Sequence, residues 1–323
     1  MPHPDNVYSL VADIGGTNTR VALASGRKLV AGSVRRYSNA DYPGLETVLR
    51  RYVADAGGVD PKAACVAVAG PVRDGRATMT NLDWTIDEDT LARATKAETV
   101  AILNDLQAQG HALGFIDAGK IRTVVPFADA GPLATKLVIG VGTGFNAAPV
   151  FDTARGRLVA PSESGHVNLP IRNDDDARLA AYITAAHGFA AVEDVLSGRG
   201  LEGVYQWLGF VAGDPREVTA HDIMTACTNG TDPRALQAAR VFVRMLGMVA
   251  GNLALIQLPF GGVYLIGGVA RALAPFLADF RFEAAFRDKG RFSGLMTSFG
   301  VAVVEDDYAA LTGSAAYLVA MAG

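Results

Sequence analysis

Two short loops of the sequence combine glycine with threonine or asparagine in a way that suits phosphate binding. The first loop, residues 15–18, follows Asp13, and the second comprises residues 142–144. Glycine lets backbone N–H groups approach phosphate oxygens closely because it has no side chain in the way. An aspartate beside such a loop can bind Mg²⁺, and Asp105, which follows another apolar run, can accept a proton. These residue types indicate phosphoryl transfer.

Each loop is predicted to join two β-strands. The run "VYSLVADI" precedes the first loop and "TRVAL" follows it, whereas "KLVIGV" and "NAAPVF" flank the second. Apolar runs of this kind predict strands. A P-loop and a dinucleotide-binding fingerprint both require a helix directly after the glycines, so both are excluded. Either loop alone could be an ordinary hairpin turn, but two loops in similar units favour a two-sided phosphate site.

Strand-like and helical segments alternate along the rest of the chain, which predicts an α/β fold. A third strand is expected in "LVAGSVRRY", a long helix from Pro233 to about Leu258, and a closing helix in "YAALTGSAAYLVAMA" that packs on the first domain. The repeated hairpin predicts two related domains with the nucleotide in the cleft between them. We place the smaller domain at residues 1–112 plus 306–323 and the larger at residues 113–305.

Composition and charge exclude several classes of protein. The 323 residues carry a net charge of −4, which gives no broad attraction to nucleic acid or to an anionic membrane. The longest apolar stretch, residues 241–260, contains Arg244 and Asn252, so a buried helix is expected there rather than a membrane span. Cys65 and Cys227 match neither a metal-binding spacing nor a disulfide framework. We expect a cytoplasmic protein with no nucleic-acid or membrane partner.

Several segments of the chain resemble the bacterial glucokinase family of hexose kinases, within the actin-like ATPase superfamily. "ADIGGTNTR" resembles its first phosphate motif, "LNDLQAQG" its catalytic strand end, "VGTGFN" its second phosphate motif and "LIGGVA" its adenosine motif. "MTNLDW", "ESGHVNLP", "EDVLSGRGL" and "FRDKGRF" resemble further family segments in the same order. The resemblance implies a duplicated actin-like, ribonuclease H-like fold, glucose as the sugar phosphorylated at its 6-hydroxyl, ATP with Mg²⁺, and a homodimer.

The resemblance also implies roles for individual residues. By position alone, Asn104 or Asp105 is an N-cap candidate, and Asp13 is a turn residue that bonds its own loop. The resemblance implies instead that Asp105 is the general base for the attacking sugar hydroxyl and that Asp13 holds Mg²⁺ through water. The implied ATP-binding residues are Asp13, Gly15, Gly16, Thr17, Asn18, Gly142, Thr143, Gly144, Gly267 and Gly268.

The sugar hydroxyls require carboxylate, amide and imidazole partners. Taken alone, His166 could be a structural histidine, Glu193 an exposed residue at a helix start, and the Gly267-Gly268 pair plain strand-to-helix packing. The resemblance implies that the sugar contacts Asn81, Asn104, Asp105, Glu163, His166 and Glu193.

The sequence departs from the family pattern beside the second phosphate motif. Asn146 stands where the family usually has glycine, and Pro149 falls inside the following strand, although proline normally occupies a strand edge or a bulge. The alternatives for function are a kinase for another sugar (mannose, N-acetylglucosamine or N-acetylmannosamine), a sugar-sensing regulator without catalysis, and an actin-like ATPase that acts on a protein partner. A regulator needs a DNA-binding segment ahead of the first strand, and Asp13 comes too early in the chain for one.

Overall fold

A computed structural model of the protein describes residues 8–79 and 82–322. Its strands are β1 (Tyr8–Ile14), β2 (Asn18–Ser25), β3 (Lys28–Leu29), β4 (Arg35–Ser38), β5 (Ala63–Val68), β6 (Val72–Arg73), β7 (Arg76–Thr78), β8 (Thr85–Asp87), β9 (Thr99–Asn104), β10 (Ile121–Val125), β11 (Lys136–Val141), β12 (Phe145–Thr153), β13 (Gly156–Val159), β14 (Val263–Ile266) and β15 (Val301–Val304). Its helices are α1 (Leu45–Asp55), α2 (Glu88–Thr95), α3 (Asp105–Ala112), α4 (Asp174–His187), α5 (Gly198–Val211), α6 (Ala220–Asn229), α7 (Pro233–Gln257), α8 (Gly268–Leu273), α9 (Phe282–Arg287) and α10 (Ala309–Met321).

The predicted α/β class is confirmed, and the chain divides into two compact units. The smaller unit extends to Ala118 and adds Arg155–Val159 and the segment from Asp306 onwards. The larger unit comprises Gly119–Ala154 and Ala160–Glu305. The domain limits at residues 112 and 305, the duplication and the cleft remain predictions.

The smaller unit is built on a sheet in the order β3-β2-β1-β5-β9, with β4 paired to β2. Strands β1, β5 and β9 are parallel, and β2 returns antiparallel beside β1. Alternate side chains of β1 enter two different cores: Leu10 packs with the residues of α1 and α2, and Val11 with those of α10. Burial on both faces explains why these strands are apolar without polar alternation.

One strand prediction was wrong in its extent. The run from Leu29 to Tyr37 is not continuous, because Gly32 adopts a φ of +74° and turns the chain between β3 and β4. The hydroxyl of Ser33 stabilises this turn by donating to the carbonyl of Val30 at 2.7 Å. Strand β4 is thereby returned to pair with β2, where Thr19 lies opposite Tyr37.

Helix α10 packs against the smaller unit as predicted. Its residues Leu311 and Ala315 are fully buried in the same core as Val11 of β1. At Gly313 the helix approaches α3 so closely that a Cβ would lie 1.6 Å from the carbonyl oxygen of Ala108. Because Asp105 is the first residue of α3, this contact supports the helix that carries the candidate base.

The larger unit has a sheet with β10-β15-β14-β11-β12 in order. Strands β11, β14 and β15 are parallel, and β12 returns antiparallel beside β11, so this unit repeats the arrangement of β2, β1, β5 and β9. Pro149 lies in β12 opposite Leu137, in a register that has no bulge. Its carbonyl oxygen accepts from the backbone N–H of Ala160 at 3.2 Å.

Helix α7 passes through the core of the larger unit. It is long and apolar enough by length and composition to cross a membrane, but 61% of its apolar window is buried inside the protein. Phe242, Leu246 and Ala250 are each 0% exposed within that core. The predicted buried helix is therefore confirmed.

Candidate active site

The carboxyl ends of the parallel strands in the smaller unit bring Asp13 and Asp105 to one edge of the sheet. The register places Ile14 opposite Val68, and Val68 opposite Asn104. Asp13 precedes Ile14, and Asp105 follows Asn104. Ligand sites in such sheets commonly lie at this edge.

Asn104, rather than Asp105, is the N-cap of α3. Its side-chain Oδ1 accepts from the N–H of Leu106 at 3.0 Å, and the Gln107 side chain accepts from the N–H of Asn104 at 3.2 Å. This reciprocal arrangement is a capping box, which satisfies backbone donors that the helix cannot. Asn104 also donates from Nδ2 to the carbonyl of Gly70 at 2.9 Å, which ties the loop after β5 to the start of α3. Of the two N-cap candidates at this strand end, Asn104 is therefore the cap and Asp105 is the first residue of α3.

Asp105 is poised to accept a proton near neutral pH. Burial, together with the smaller effect of the nearby negative charge of Asp13, raises the pKa of Asp105 from 3.8 to about 7. The pKa of Asp13 is also raised by burial, against the opposing effect of Arg20, whose NH1 lies 3.3 Å from Asp13 Oδ2. A general base works best when its pKa lies near the working pH.

A ¹³C NMR titration of aspartate carboxyl groups in the ligand-free protein is expected to find an Asp105 pKa near 7. The Asp13→Asn variant is expected to have a lower Asp105 pKa, because the substitution removes a neighbouring negative charge. Asp105→Asn assigns the signal, and Asp89→Asn, on the exposed side of α2, serves as the control that leaves it in place. Since folding raises this pKa, the stability that the protonated form contributes is complete below pH 4 and is lost as the pH rises through 7. An Asp105 pKa near 4 would contradict the burial of this carboxyl.

The first phosphate loop is held by a buried asparagine that sequence reasoning missed. Asn39, 2% exposed, donates from Nδ2 to the carbonyl of Gly15 at 2.8 Å and from its backbone N–H to the carbonyl of Thr17 at 2.9 Å. Its Oδ1 accepts from the hydroxyl of Thr19 at 2.8 Å. The contact depends on the pairing of β4 with β2, so local sequence patterns carried no signal for it.

The backbone N–H groups of the first loop divide into two sets. Gly15 donates to the carbonyl of Asn18 at 3.0 Å, which closes the hairpin. Within the described part of the chain, the N–H groups of Gly16 and Thr17 meet no protein acceptor. These two donors are therefore available to a ligand, whereas that of Gly15 is not.

The second loop has the same division of its N–H groups. Gly142 donates to the carbonyl of Gly144 at 2.9 Å, while Thr143 and Gly144 have no acceptor among the residues the structure describes. A Cβ on Gly144 would lie 2.6 Å from Oε2 of Glu193. That oxygen accepts from the N–H of Phe145 at 2.8 Å, so the absence of a side chain at residue 144 is what lets Glu193 dock on this loop.

Three of the predicted sugar ligands in the larger unit share one hydrogen-bonded framework. The backbone N–H of Glu193 donates to the carbonyl of Gly165 at 2.9 Å, and Gly165 lies in the short turn between Glu163 and His166. Oε2 of Glu163 lies 3.8 Å from Nε2 of His166, and these side chains are 61% and 63% exposed. Their polar atoms therefore face outward, where a hydroxylated ligand can meet them. Asn81 lies outside the described residues.

The Gly267-Gly268 pair connects β14 to α8. Gly267 adopts a φ of +113°, and a Cβ there would lie 2.4 Å from the carbonyl oxygen of Val141. The packing of strand against helix thus requires glycine at residue 267. Among residues 8–79 and 82–322, no atom lies within 4 Å of the Cβ that Gly268 lacks, so open space lies beside the first residue of α8.

The residues beside the first loop fit a Mg²⁺ ion that arrives with a nucleotide. The described residues contain no group of three or more histidine, cysteine, aspartate or glutamate side chains that could hold a metal ion. Mg²⁺ bound to phosphates needs only one or two carboxylates, because it keeps several of its water molecules. Asp13, with its weak 3.3 Å contact to Arg20, supplies such a carboxylate beside the free N–H groups of Gly16 and Thr17.

Comparison with known proteins identifies close relatives over nearly the whole chain. A family described as Glucokinase matches residues 10–321. The glucokinase of Rhizobium leguminosarum bv. trifolii is 31% identical over 98% of this chain and 95% of its own length. The crystal structure of a glucokinase from an Antarctic psychrotroph is 30% identical, with a TM-score of 0.85 over 97% of this chain and 98% of that one. A glucokinase from Balamuthia mandrillaris in complex with glucose shares the fold, with a TM-score of 0.83 at 24% identity over 97% and 93% of the two chains.

Proposed function

The chain belongs to the glucokinase family, and we propose on that basis that it transfers the γ-phosphoryl group of ATP to glucose, at the 6-hydroxyl. The single observation that carries the proposal is the buried Asp105, with a pKa of about 7, at the carboxyl edge of the sheet beside the first phosphate loop. A sugar hydroxyl is a weak nucleophile, and a base that can hold its proton near neutral pH is what its attack requires.

In the proposed mechanism Asp105 accepts the proton of the 6-hydroxyl as the oxygen bonds to the γ-phosphorus. The bond between that phosphorus and the bridging oxygen of ADP breaks, and the carboxylic acid of Asp105 later returns the proton to solvent. The capping box of Asn104 and Gln107 fixes the start of α3 and therefore the place of Asp105. Positioning of this kind supplies much of the rate in phosphoryl transfer.

The phosphate groups are proposed to bind the free backbone donors of the two loops, namely those of Gly16, Thr17, Thr143 and Gly144. Asp13 is proposed to hold Mg²⁺ through water, and the ion when bound neutralises charge on the phosphates. Gly15, Asn18 and Gly142 then act through the shape of their hairpins. Gly267 and Gly268 are proposed to lie against the nucleoside of ATP.

Glucose specificity is proposed to come from polar side chains that a wrong hydroxyl pattern would leave unpaired. Glu163, His166 and Glu193 share the framework described above, and Asn104 adds an amide at the end of β9. Asn81, outside the described residues, completes the proposed set. We further propose that the protein is a cytoplasmic homodimer without nucleic-acid or membrane partners. Sedimentation of the purified protein tests whether it is a dimer.

ADP release by the purified protein with Mg·ATP tests the proposed reaction. The assay compares glucose, mannose, fructose, N-acetylglucosamine, N-acetylmannosamine and no sugar. Glucose is expected to give a kcat/KM roughly 100-fold above the other sugars. A higher kcat/KM for another sugar would replace glucose as the proposed substrate and leave the proposed mechanism unchanged. ADP release that no sugar stimulates would overturn the kinase assignment.

A further inference from the structure

Asn146 makes contacts that a glycine at its position could not make. It follows Phe145 in β12 and lies opposite Gly140 of β11. Its Oδ1 accepts from the N–H of Ser164 at 2.9 Å and lies 3.2 Å from the hydroxyl oxygen of Ser162. Its Nδ2 donates to the carbonyl of Ser162. One side chain thus binds the backbone on both sides of Glu163.

Glu163 itself has few contacts of its own to hold it. Its side chain is 61% exposed, and its Oε2 lies 3.8 Å from Nε2 of His166. It gives no side-chain cap to the short turn that it precedes. The place of its carboxylate is therefore set by the backbone at Ser162 and Ser164, the two residues that Asn146 binds.

The hydroxyls of the loop extend this attachment to β12. Ser162 Oγ lies 2.6 Å from the carbonyl oxygen of Ala147, to which it donates, and 2.7 Å from Ser164 Oγ. The N–H of Ala147 lies 2.8 Å from Asn146 Oδ1. The loop is consequently fastened to the strand that begins at the second phosphate loop.

We propose that Asn146 is a positioning residue that holds the Glu163–His166 turn in place for sugar binding, an inference that rests on the proposed function. A side chain held before binding loses less conformational freedom when the sugar arrives, so the affinity rises. Asn146 touches neither Asp105 nor the free donors of the phosphate loops in the contacts described above. Its contribution is therefore to glucose binding and not to the chemical step.

The test combines steady-state kinetics with hydrogen exchange on the full-length protein. Asn146→Ala is expected to raise KM for glucose about tenfold while kcat stays within about twofold, which is the pattern for loss of an interaction equal in ground and transition states. The exchange rate of the Ser164 amide is expected to rise in the same variant, because that N–H loses its acceptor. Asn146→Asp, which keeps the acceptor oxygen but not the donor, is expected to give intermediate values of both.

Asn252→Ala, which removes an amide that binds Lys289 at 2.9 Å in the larger unit, is the matched control and is expected to leave KM and Ser164 exchange unchanged. Unchanged exchange in Asn146→Ala, or faster exchange with unchanged KM, would overturn the proposal, as would a fall in kcat alone. If Asn146→Ala does not fold, Asn146→Asp decides by the same readouts. Wild-type protein without glucose-dependent turnover would overturn the proposed function, and the exchange result would still decide whether Asn146 anchors the turn.

Discussion

Asp105→Asn is expected to lower kcat by about 10²- to 10⁴-fold while the Kd for glucose stays within about twofold, because the amide keeps the shape of the side chain but cannot accept the proton. The fold around it is expected to persist, since Asn104 and not Asp105 caps α3. Removal of a buried carboxylate should also leave the free energy of unfolding at pH 8 no lower than that of the wild type.

The measurement is single-turnover phosphoryl transfer together with calorimetric glucose binding. Asp174→Asn, the same chemical change in the exposed first turn of α4, is the control and is expected to leave kcat unchanged. Near-normal turnover by Asp105→Asn would remove Asp105 from the role of base. A large loss of glucose affinity with normal turnover would make it a binding residue only.

Gly313→Ala is expected to lower the free energy of unfolding by about 3 kcal/mol, because its Cβ would overlap the carbonyl oxygen of Ala108 and force α10 away from α3. The overlap is with backbone, so no side-chain rotation can relieve it. Chemical denaturation measured by circular dichroism gives the change in the free energy of unfolding.

Gly203→Ala in α5 is the matched control for the effect of a methyl group on a helical glycine. The nearest atom to its added Cβ would be the carbonyl oxygen of Asp194 at 3.9 Å, which is ordinary contact. Alanine is the better helix former by about 1 kcal/mol, so this variant is expected to be as stable as the wild type or more stable. Equal stability of the Gly313→Ala and Gly203→Ala proteins would contradict the close approach of α10 to α3.

Much of the fold could be predicted because apolar runs report burial directly. The strands β1, β5 and β11 are buried, and each appears in the sequence as a short apolar run that ends in polar or glycine residues. The break between β3 and β4 escaped prediction because it depends on a single turn at Gly32 within a strand-like run. The overall apolar character of a segment can be read from its sequence, whereas a single turn within that segment depends on the conformation of one residue.

Site residues could be predicted where they belong to a local loop motif. They could not be predicted where their contacts are with residues distant in the sequence. Gly142 and Gly144 were found from their motif. The sequence could not distinguish an N–H group that closes the hairpin by bonding within the loop from one that is available to a ligand. Asn39 and Arg20 were missed because their partners, Gly15 and Asp13, become neighbours only when the strands pair. Asn146 was noticed only as a departure from the family pattern, and its contacts with the Ser162–Ser164 backbone required the folded chain.

The reaction product shows most directly whether this protein transfers the γ-phosphoryl group of ATP to the 6-hydroxyl of glucose. Uniformly ¹³C-labelled glucose is incubated with Mg·ATP and the protein, and the ¹³C–³¹P couplings of the product are measured by NMR. Coupling of phosphorus to C6 of the sugar is expected. Phosphorus coupled to C1, or ADP formation with no phosphorylated sugar, would contradict it.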